Sequence, residues 1–205
     1  YIGHPNQPVL WSNVMQQAQR TLNQIFVHNI VFYSDPDTLL VRDLPLEEAR
    51  VTTTVVALPG QQTFFGDFLK DLPPERMKML QQSLPVCDVR PGALYPYFSD
   101  LPIWDLKVAH PFANWDVVAL FNWTDEEATL EIAFDELGLD AGEYVAWEFW
   151  TQQCLGTSDV GFSMQVPPHA VRLLALHKRQ YVPQFLSSDR HVTQGATDLV
   201  DVQWN

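Results

Sequence analysis

Basic residues are scarce in this sequence. Its 205 residues include 12 Lys and Arg against 25 Asp and Glu, which gives a formal net charge of −13. A nucleic-acid-binding surface needs an excess of positive charge, so this composition argues against a nucleic-acid partner. A neutral ligand rich in hydroxyl groups is compatible with such an acidic surface.

Cysteines and long apolar runs are also few. Cys87 and Cys154 lie far apart and form no Cys-x-x-Cys pair, so a structural zinc site is not predicted. One disulfide between them is an alternative, but two free buried thiols are the expected state. No run approaches the roughly 20 apolar residues of a transmembrane helix, so no membrane partner is predicted.

Apolar and aromatic residues, in contrast, are abundant. The chain is 46% hydrophobic and contains seven Trp and 15 Pro. This composition predicts a folded chain with a sizeable core, many turns and β-rich structure. The length allows one large domain or two small ones.

The first 86 residues show the alternation of helices and strands that is typical of a parallel α/β architecture. The pattern predicts, in order, a helix over 12–26, a buried strand over 27–33, a helix that stops at Pro59-Gly60, a short strand over 62–65 and a helix over 73–84. The second helix is ambiguous, because its body over 51–56 is β-branched and favours a strand by propensity. Its start and stop signals favour a helix.

The character of the chain changes after residue 86. Residues 87–102 are rich in Pro and aromatic side chains and predict a linker. Short strands with turn signals between them are then predicted over 103–108, 116–123, 128–134, 143–150, 162–166 and 170–177. Their spacing is typical of an antiparallel β-sandwich, which we expect over 103–205 in truncated form.

The segment Ser34-Asp35-Pro36-Asp37 is the main candidate site. Pro36 fixes its own φ and favours an extended Asp35, so both carboxylates are expected at fixed angles after the predicted strand. In barrel enzymes the carboxyl ends of the strands carry the chemistry. The alternatives are an Asx-turn or helix-cap role for Asp37 and support of the loop backbone by Asp35.

Asp35 and Asp37 are not expected to form a catalytic pair by themselves. Two acids separated by one proline usually point in different directions, which disfavours that arrangement.

Six segments resemble, in order, the C-terminal portion of a melibiase-type α-galactosidase. They are Ser34-Asp35-Pro36-Asp37-Thr38-Leu39, Leu46-Glu47-Glu48-Ala49-Arg50, Phe64-Phe65-Gly66-Asp67-Phe68-Leu69, residues 72–85, residues 118–124 and residues 166–172. The resemblance extends over most of residues 12–177. It departs from the family pattern at Ser34 and Thr38, where the family has Asn and often Met.

The resemblance implies a (β/α)₈ barrel followed by a β-sandwich, and retaining hydrolysis of terminal α-galactosides. In that chemistry one Asp attacks the anomeric carbon and a second Asp acts as acid and then base. Both lie on earlier strands of the family barrel and have no counterpart here, so no catalytic residue is assigned. Asp37, with Thr38 and Asp35, is expected to bind substrate, and no metal or organic cofactor is implied.

The resulting hypothesis is an α/β part followed by an all-β part. Residues 1–86 are expected to form the last two βα units of a (β/α)₈ barrel, residues 87–102 a linker and residues 103–205 the β-sandwich. The chain alone is expected to be inactive. The remainder of the barrel or an oligomer partner is expected to cover residues 1–86. The alternatives are a non-catalytic carbohydrate-binding or structural sandwich module, and an α-N-acetylgalactosaminidase or transferase on the same scaffold.

Overall fold

The computed structural model describes residues 8–89, 94–97 and 103–204. Within these ranges the helices are α1 (Trp11–Gln24), α2 (Leu46–Ala57) and α3 (Pro74–Gln82), with a 3-10 turn at Leu69–Asp71. The strands are β1 (Thr38–Leu39), β2 (Phe64–Phe65), β3 (Leu94–Tyr97), β4 (Ile103–His110), β5 (Ala113–Asn122), β6 (Ala128–Ala133), β7 (Tyr144–Glu148), β8 (Gln153–Ser158), β9 (Gly161–Val166) and β10 (Ala170–Lys178). None of the helices in these ranges has the length and apolar character to cross a membrane.

The ambiguous second helix is confirmed as α2. Its β-branched body is buried, so tertiary packing outweighs the strand propensity of these residues. The hydroxyls of Thr53 and Thr54 donate to the carbonyl oxygens of Ala49 and Arg50, which satisfies them inside the helix. The helix ends before Gly60, whose φ of +70° is a left-handed conformation that favours glycine.

The predicted buried strand over 27–33 is wrong. The segment forms turns, with one bridge between His28 and Phe32, and Asn29 adopts a φ of +58°. Ile30 and Val31 are about 70% exposed, at 69% and 71%. A strand needs neighbours that accept and donate its backbone hydrogen bonds, and no described strand lies beside this segment to do so.

The parallel pairing lies later in the chain than expected. β1 pairs with β2 in parallel, with Thr38 opposite Phe64 and Leu39 opposite Phe65. Each of these two-residue strands is followed by a helix, α2 or α3, so the segment contains two short βα units. A closed barrel is not present in the part of the chain that the structure describes.

The C-terminal part is built on one antiparallel sheet in the order β3-β4-β5-β10-β7-β8, with β6 and β9 forming a second, two-stranded sheet. All six predicted strands are confirmed, with small shifts at their ends. Two further strands, β3 and β8, were not predicted, and β3 lies inside the segment that was interpreted as a linker. The prediction of an α/β part followed by an antiparallel β-sandwich is confirmed.

The large sheet is the middle layer of the molecule. Alternate residues of β5 and β10 face opposite sides, because successive side chains of a strand point in opposite directions. Val117, Phe121 and Leu173 belong to the core shared with the helices, whereas Val118 and Leu174 belong to the core shared with β6 and β9. Strand β10 is therefore buried on both faces over most of its length.

Polar contacts join α2 to the sandwich. Arg172 Nη1 lies 3.0 Å from Glu47 Oε2, and Arg50 Nη2 donates to the carbonyl oxygen of Trp150. The ring of His169 lies 2.8 Å from Glu48 Oε1 and stacks on Trp11 with centroids 4.2 Å apart. These contacts give the short βα units a defined place against the sheet.

Candidate functional site

The acidic turn directly precedes β1 and forms hydrogen bonds within itself. The backbone N–H of Asp37 donates to Asp35 Oδ1 over 2.8 Å, as in an Asx-turn. The backbone N–H of Thr38 donates to Asp37 Oδ1 over 2.7 Å, and the Thr38 hydroxyl lies 3.2 Å from the same oxygen. The structure thus brings the three predicted site residues together, but not at the carboxyl end of the strand over 27–33 that the sequence predicts.

The turn interrupts a pair of parallel segments. The N–H of Gln62 donates to the Ser34 carbonyl before the turn, and the N–H of Gly66 donates to the Leu39 carbonyl after it. Between these bonds Asp37 adopts a φ of +73°. Asp tolerates this left-handed conformation better than most residues, and such outliers cluster at binding sites and tight turns.

Helix α1 holds the turn through side chains that sequence reasoning did not select. The Gln17 amide donates to the Pro36 carbonyl over 2.8 Å, and its oxygen accepts from the Thr52 hydroxyl over 3.0 Å. The Thr21 hydroxyl donates to Gln61 Oε1 over 3.1 Å. Gln17 and Thr21 are four residues apart on the buried face of α1. Polar residues at that spacing on an otherwise apolar face are the sequence feature that could have indicated these contacts.

A small cavity of about 60 Å³ lies between α1 and the acidic turn. Its wall includes Gln17 and Arg20 on one side and Asp35 and Asp37 on the other. Pockets for small ligands usually enclose about 300–1,000 Å³. The described cavity is therefore too small to be such a pocket by itself.

A second acidic group lies at the carboxyl ends of both parallel strands. The Asp67 side chain is fully buried, accepts from the Val41 N–H over 2.8 Å and pairs with Arg42 Nη1 at 2.9 Å. Arg42 also pairs with Asp43 at 2.9 Å. Asp67 thus ties the chain after β2 to the chain after β1.

Neither cysteine is in a disulfide. Cys87 is buried, and burial raises the pKa of its thiol to about 12, whereas Cys154 is exposed. The expectation of free thiols is confirmed, but that of burial holds only for Cys87. Across the described ranges, no three His, Cys, Asp or Glu side chains are grouped in a way that could hold a metal ion.

Residues 108–176 match the family model described as the alpha galactosidase C-terminal beta sandwich domain. The resemblance to the C-terminal portion of a melibiase-type protein is confirmed. These residues extend from the end of β4 through β10 and include both layers of the sandwich. No curated protein sequence matches the chain.

Solved structures of melibiase-type glycosidases share the fold over most of the chain. A GH27 β-L-arabinopyranosidase from Geobacillus stearothermophilus is 17% identical with a TM-score of 0.72, over 85% of this chain and 44% of its own. α-Galactosidase I from Mortierella vinacea is 18% identical with a TM-score of 0.65, over 82% of this chain and 44% of its own. The α-galactosidase of Saccharomyces cerevisiae with raffinose is 12% identical with a TM-score of 0.64, over 81% of this chain and 51% of its own.

The chain spans about half the length of these melibiase-type structures or less. Because the sequence identities are only 17%, 18% and 12%, the similarity shows a common fold. It extends beyond the sandwich, since 81–85% of the chain is covered whereas the family model covers only residues 108–176.

Proposed function

We propose that the chain is the C-terminal part of a retaining glycoside hydrolase that acts on terminal α-galactosides. In this proposal Asp37, Thr38 and Asp35 form one wall of the sugar pocket, and the β-sandwich stabilises the barrel. The nucleophile and the acid/base carboxylate belong to residues that precede this chain. The observation that carries the proposal is the acidic turn placed by buried contacts beside the parallel strands of a melibiase-type fold.

The geometry of Asp37 supports a role in binding. Its Oδ1 accepts from the Thr38 N–H, and the side chain is half-buried in the wall of the small cavity. A carboxylate held this way keeps its orientation, and oriented acceptors fix the hydroxyl groups of a sugar ring. The left-handed φ of Asp37 is a local strain of about 1–3 kcal/mol that the surrounding contacts must offset.

The exposed apolar surface supports a partner for the α/β part. Val31, Tyr33, Phe64 and Phe68 are all more than half exposed and belong to the segments around the parallel strands. Parallel sheets normally have both faces and both edges covered. We propose that the preceding barrel strands cover this surface in the longer protein.

The test measures hydrolysis of p-nitrophenyl α-D-galactopyranoside by the 205-residue chain and by a longer chain that ends in the same residues. We expect no turnover by the 205-residue chain alone, and turnover when the same residues form the end of the longer chain. In that longer chain Asp37→Asn is expected to lower kcat/KM by about 10–100-fold, because the variant keeps the Oδ1 acceptor for Thr38 N–H but loses the charge. Asp159→Asn, at an exposed position on the sandwich, is the control.

Three results would count against the proposal. Steady hydrolysis by the 205-residue chain alone would show that the catalytic residues lie within it. Unchanged kcat/KM in Asp37→Asn would leave this carboxylate with only its Asx-type role in the turn. Absence of any glycosidase activity in the longer chain would favour a structural or carbohydrate-binding module.

A different terminal sugar is the second candidate. The arabinopyranosidase shares the fold at the highest TM-score given above, and Thr38 replaces the bulkier Met that is frequent in the resembled family. The same assay with p-nitrophenyl β-L-arabinopyranoside and the α-N-acetylgalactosaminide distinguishes these glycones, since the preferred substrate has the highest kcat/KM.

A further inference from the structure

A separate cavity of about 400 Å³ lies at one end of the large sheet. It is bounded by the start of β5, the end of β10, the start of β7 and the segment after β10, including Trp204. The cavity is within the usual size range for small-ligand pockets. Its wall shares no residue with the wall of the cavity beside the acidic turn.

Aromatic rings form one side of this cavity. Trp115 stacks on His177 with centroids 5.3 Å apart and an interplanar angle of 20°. Phe112 lies 5.9 Å from Trp115, and Phe185 packs edge-on against Trp115 at 5.8 Å. Trp204, which is 62% exposed, adds an indole at the mouth of the cavity. Indole combines a broad apolar face with a polar N–H, which suits the C–H faces and hydroxyl groups of sugar rings.

Two buried polar groups in the cavity wall have no hydrogen-bond partner within the described part of the chain. They are Trp115 Nε1–H and His177 Nε2, and both residues are 3% exposed. An unpaired buried donor or acceptor costs roughly 1–3 kcal/mol, so such groups in a native fold call for an explanation. Both atoms are themselves closed to solvent, so the polar groups that a ligand in the cavity can reach are those of Asn114, Gln180 and Gln184.

The charge of the cavity favours a neutral ligand. Burial lowers the pKa of His177 to about 4, so its ring is uncharged near neutral pH. The wall also contains Asp116, which lies 2.7 Å from the Lys107 ammonium that it shares with Asp105, and the pair of Asp140 and Lys178 at 4.0 Å. Asn114, Gln180 and Gln184 contribute neutral polar groups to the wall. The chain as a whole carries a net charge of −13, which disfavours anions.

We infer that this cavity between β5, β10 and the segment around Trp204 is a second carbohydrate-binding site, for a neutral mono- or oligosaccharide, on the β-sandwich itself. Bound sugar would stack on the exposed indole of Trp204 and form hydrogen bonds with the side chains of Asn114, Gln180 and Gln184. The site would hold a saccharide without cleaving it. It is independent of the proposed catalytic function, because the acidic turn does not contribute to it.

The experiment measures binding of raffinose and D-galactose to the 205-residue chain by isothermal titration calorimetry. We expect saturable binding, with Kd raised at least about fivefold in Trp204→Ala and in Phe112→Ala. Tyr181→Ala is the matched control. Tyr181 is an aromatic residue that is 83% exposed and lies next to Gln180 in the sequence, but it is outside the cavity wall. Asp37→Asn should bind as the unchanged chain does, and far-ultraviolet circular dichroism checks the fold of each variant.

Several outcomes would overturn the inference. Absence of saturable binding up to 50 mM (roughly the weak limit of useful affinity) would make the cavity a packing gap under the C-terminal segment. Binding that Trp204→Ala and Phe112→Ala leave unchanged would place the sugar elsewhere. Binding lost in Asp37→Asn would assign it to the acidic turn, and a preference for D-galacturonate over D-galactose would contradict a neutral ligand.

Discussion

The buried carboxylate of Asp105 should make the protein less stable as the pH rises. Asp105 lies on β4 and is fully buried, and its Oδ2 is 2.7 Å from Lys107 Nζ. Lys107 also contacts Asp116 Oδ2 at 2.7 Å, so one ammonium group serves two carboxylates. Burial first, and the nearby Asp116 second, raise the pKa of Asp105 from 3.8 to about 6.

The magnitude follows from this pKa. A difference between 3.8 and about 6, at about 1.4 kcal/mol per pH unit, corresponds to about 3 kcal/mol. Because the folded state holds the proton more tightly, the cost of ionisation is absent below about pH 3.8 and fully present above about pH 6. The free energy of unfolding should therefore fall by up to about 3 kcal/mol across this window from this one group.

Asp105→Asn tests the argument, because the amide keeps the shape and an acceptor for Lys107 but cannot ionise. Urea unfolding followed by circular dichroism at pH 4, 5, 6 and 7 gives the free energy of unfolding at each pH. We expect little difference from the unchanged chain at pH 4 and a gain of up to about 3 kcal/mol at pH 7. The exposed Asp159→Asn is the control, and equal pH dependence in Asp105→Asn and the unchanged chain would refute the reasoning.

Two further substitutions probe the α/β part and a third, in the sandwich, is a control; each is measured as a free energy of unfolding from urea titration. Gly60→Ala should cost at least about 3 kcal/mol, because its Cβ would lie 2.2 Å from the Cys87 carbonyl oxygen at a φ of +70°. Gly138→Ala has a φ of +67° but open space around it, so it should cost only about 1 kcal/mol; equal costs would rule out the clash. Asp67→Ala should cost about 3 kcal/mol, since it leaves the Val41 N–H and Arg42 without this buried acceptor, and a cost below about 1 kcal/mol would contradict that role.

The sandwich strands could be predicted from the sequence because their signals are local. Turn residues separate short β-branched and aromatic runs, and the apolar character of both faces of β10 already indicates a central strand. Strand β8 was missed because Gln153-Cys154-Leu155-Gly156 is exposed and carries no alternating pattern. It is a strand only because the edge of β7 offers it hydrogen bonds.

The acidic turn was found from sequence, but its surroundings were not. Asp35, Pro36 and Asp37 stand out because two carboxylates around a proline are a local feature. The hydrogen bond from Gln17 to the Pro36 carbonyl depends on α1 lying against the turn, and these two residues are 19 positions apart. The same holds for the cavity at Trp115 and Trp204, whose members come from four separate segments of the chain.

The sequence by itself determined the three helices, the end of α2 and six strands of the sandwich, since each depends on propensity, periodicity and turn residues within a few positions. Only the tertiary structure decided the conformation of residues 27–33, an apolar run that suits a strand but forms turns. Hydrophobic periodicity states which faces avoid water, but a strand exists only where another segment completes its backbone hydrogen bonds. That partner is a property of the assembled fold, and no local pattern encodes it.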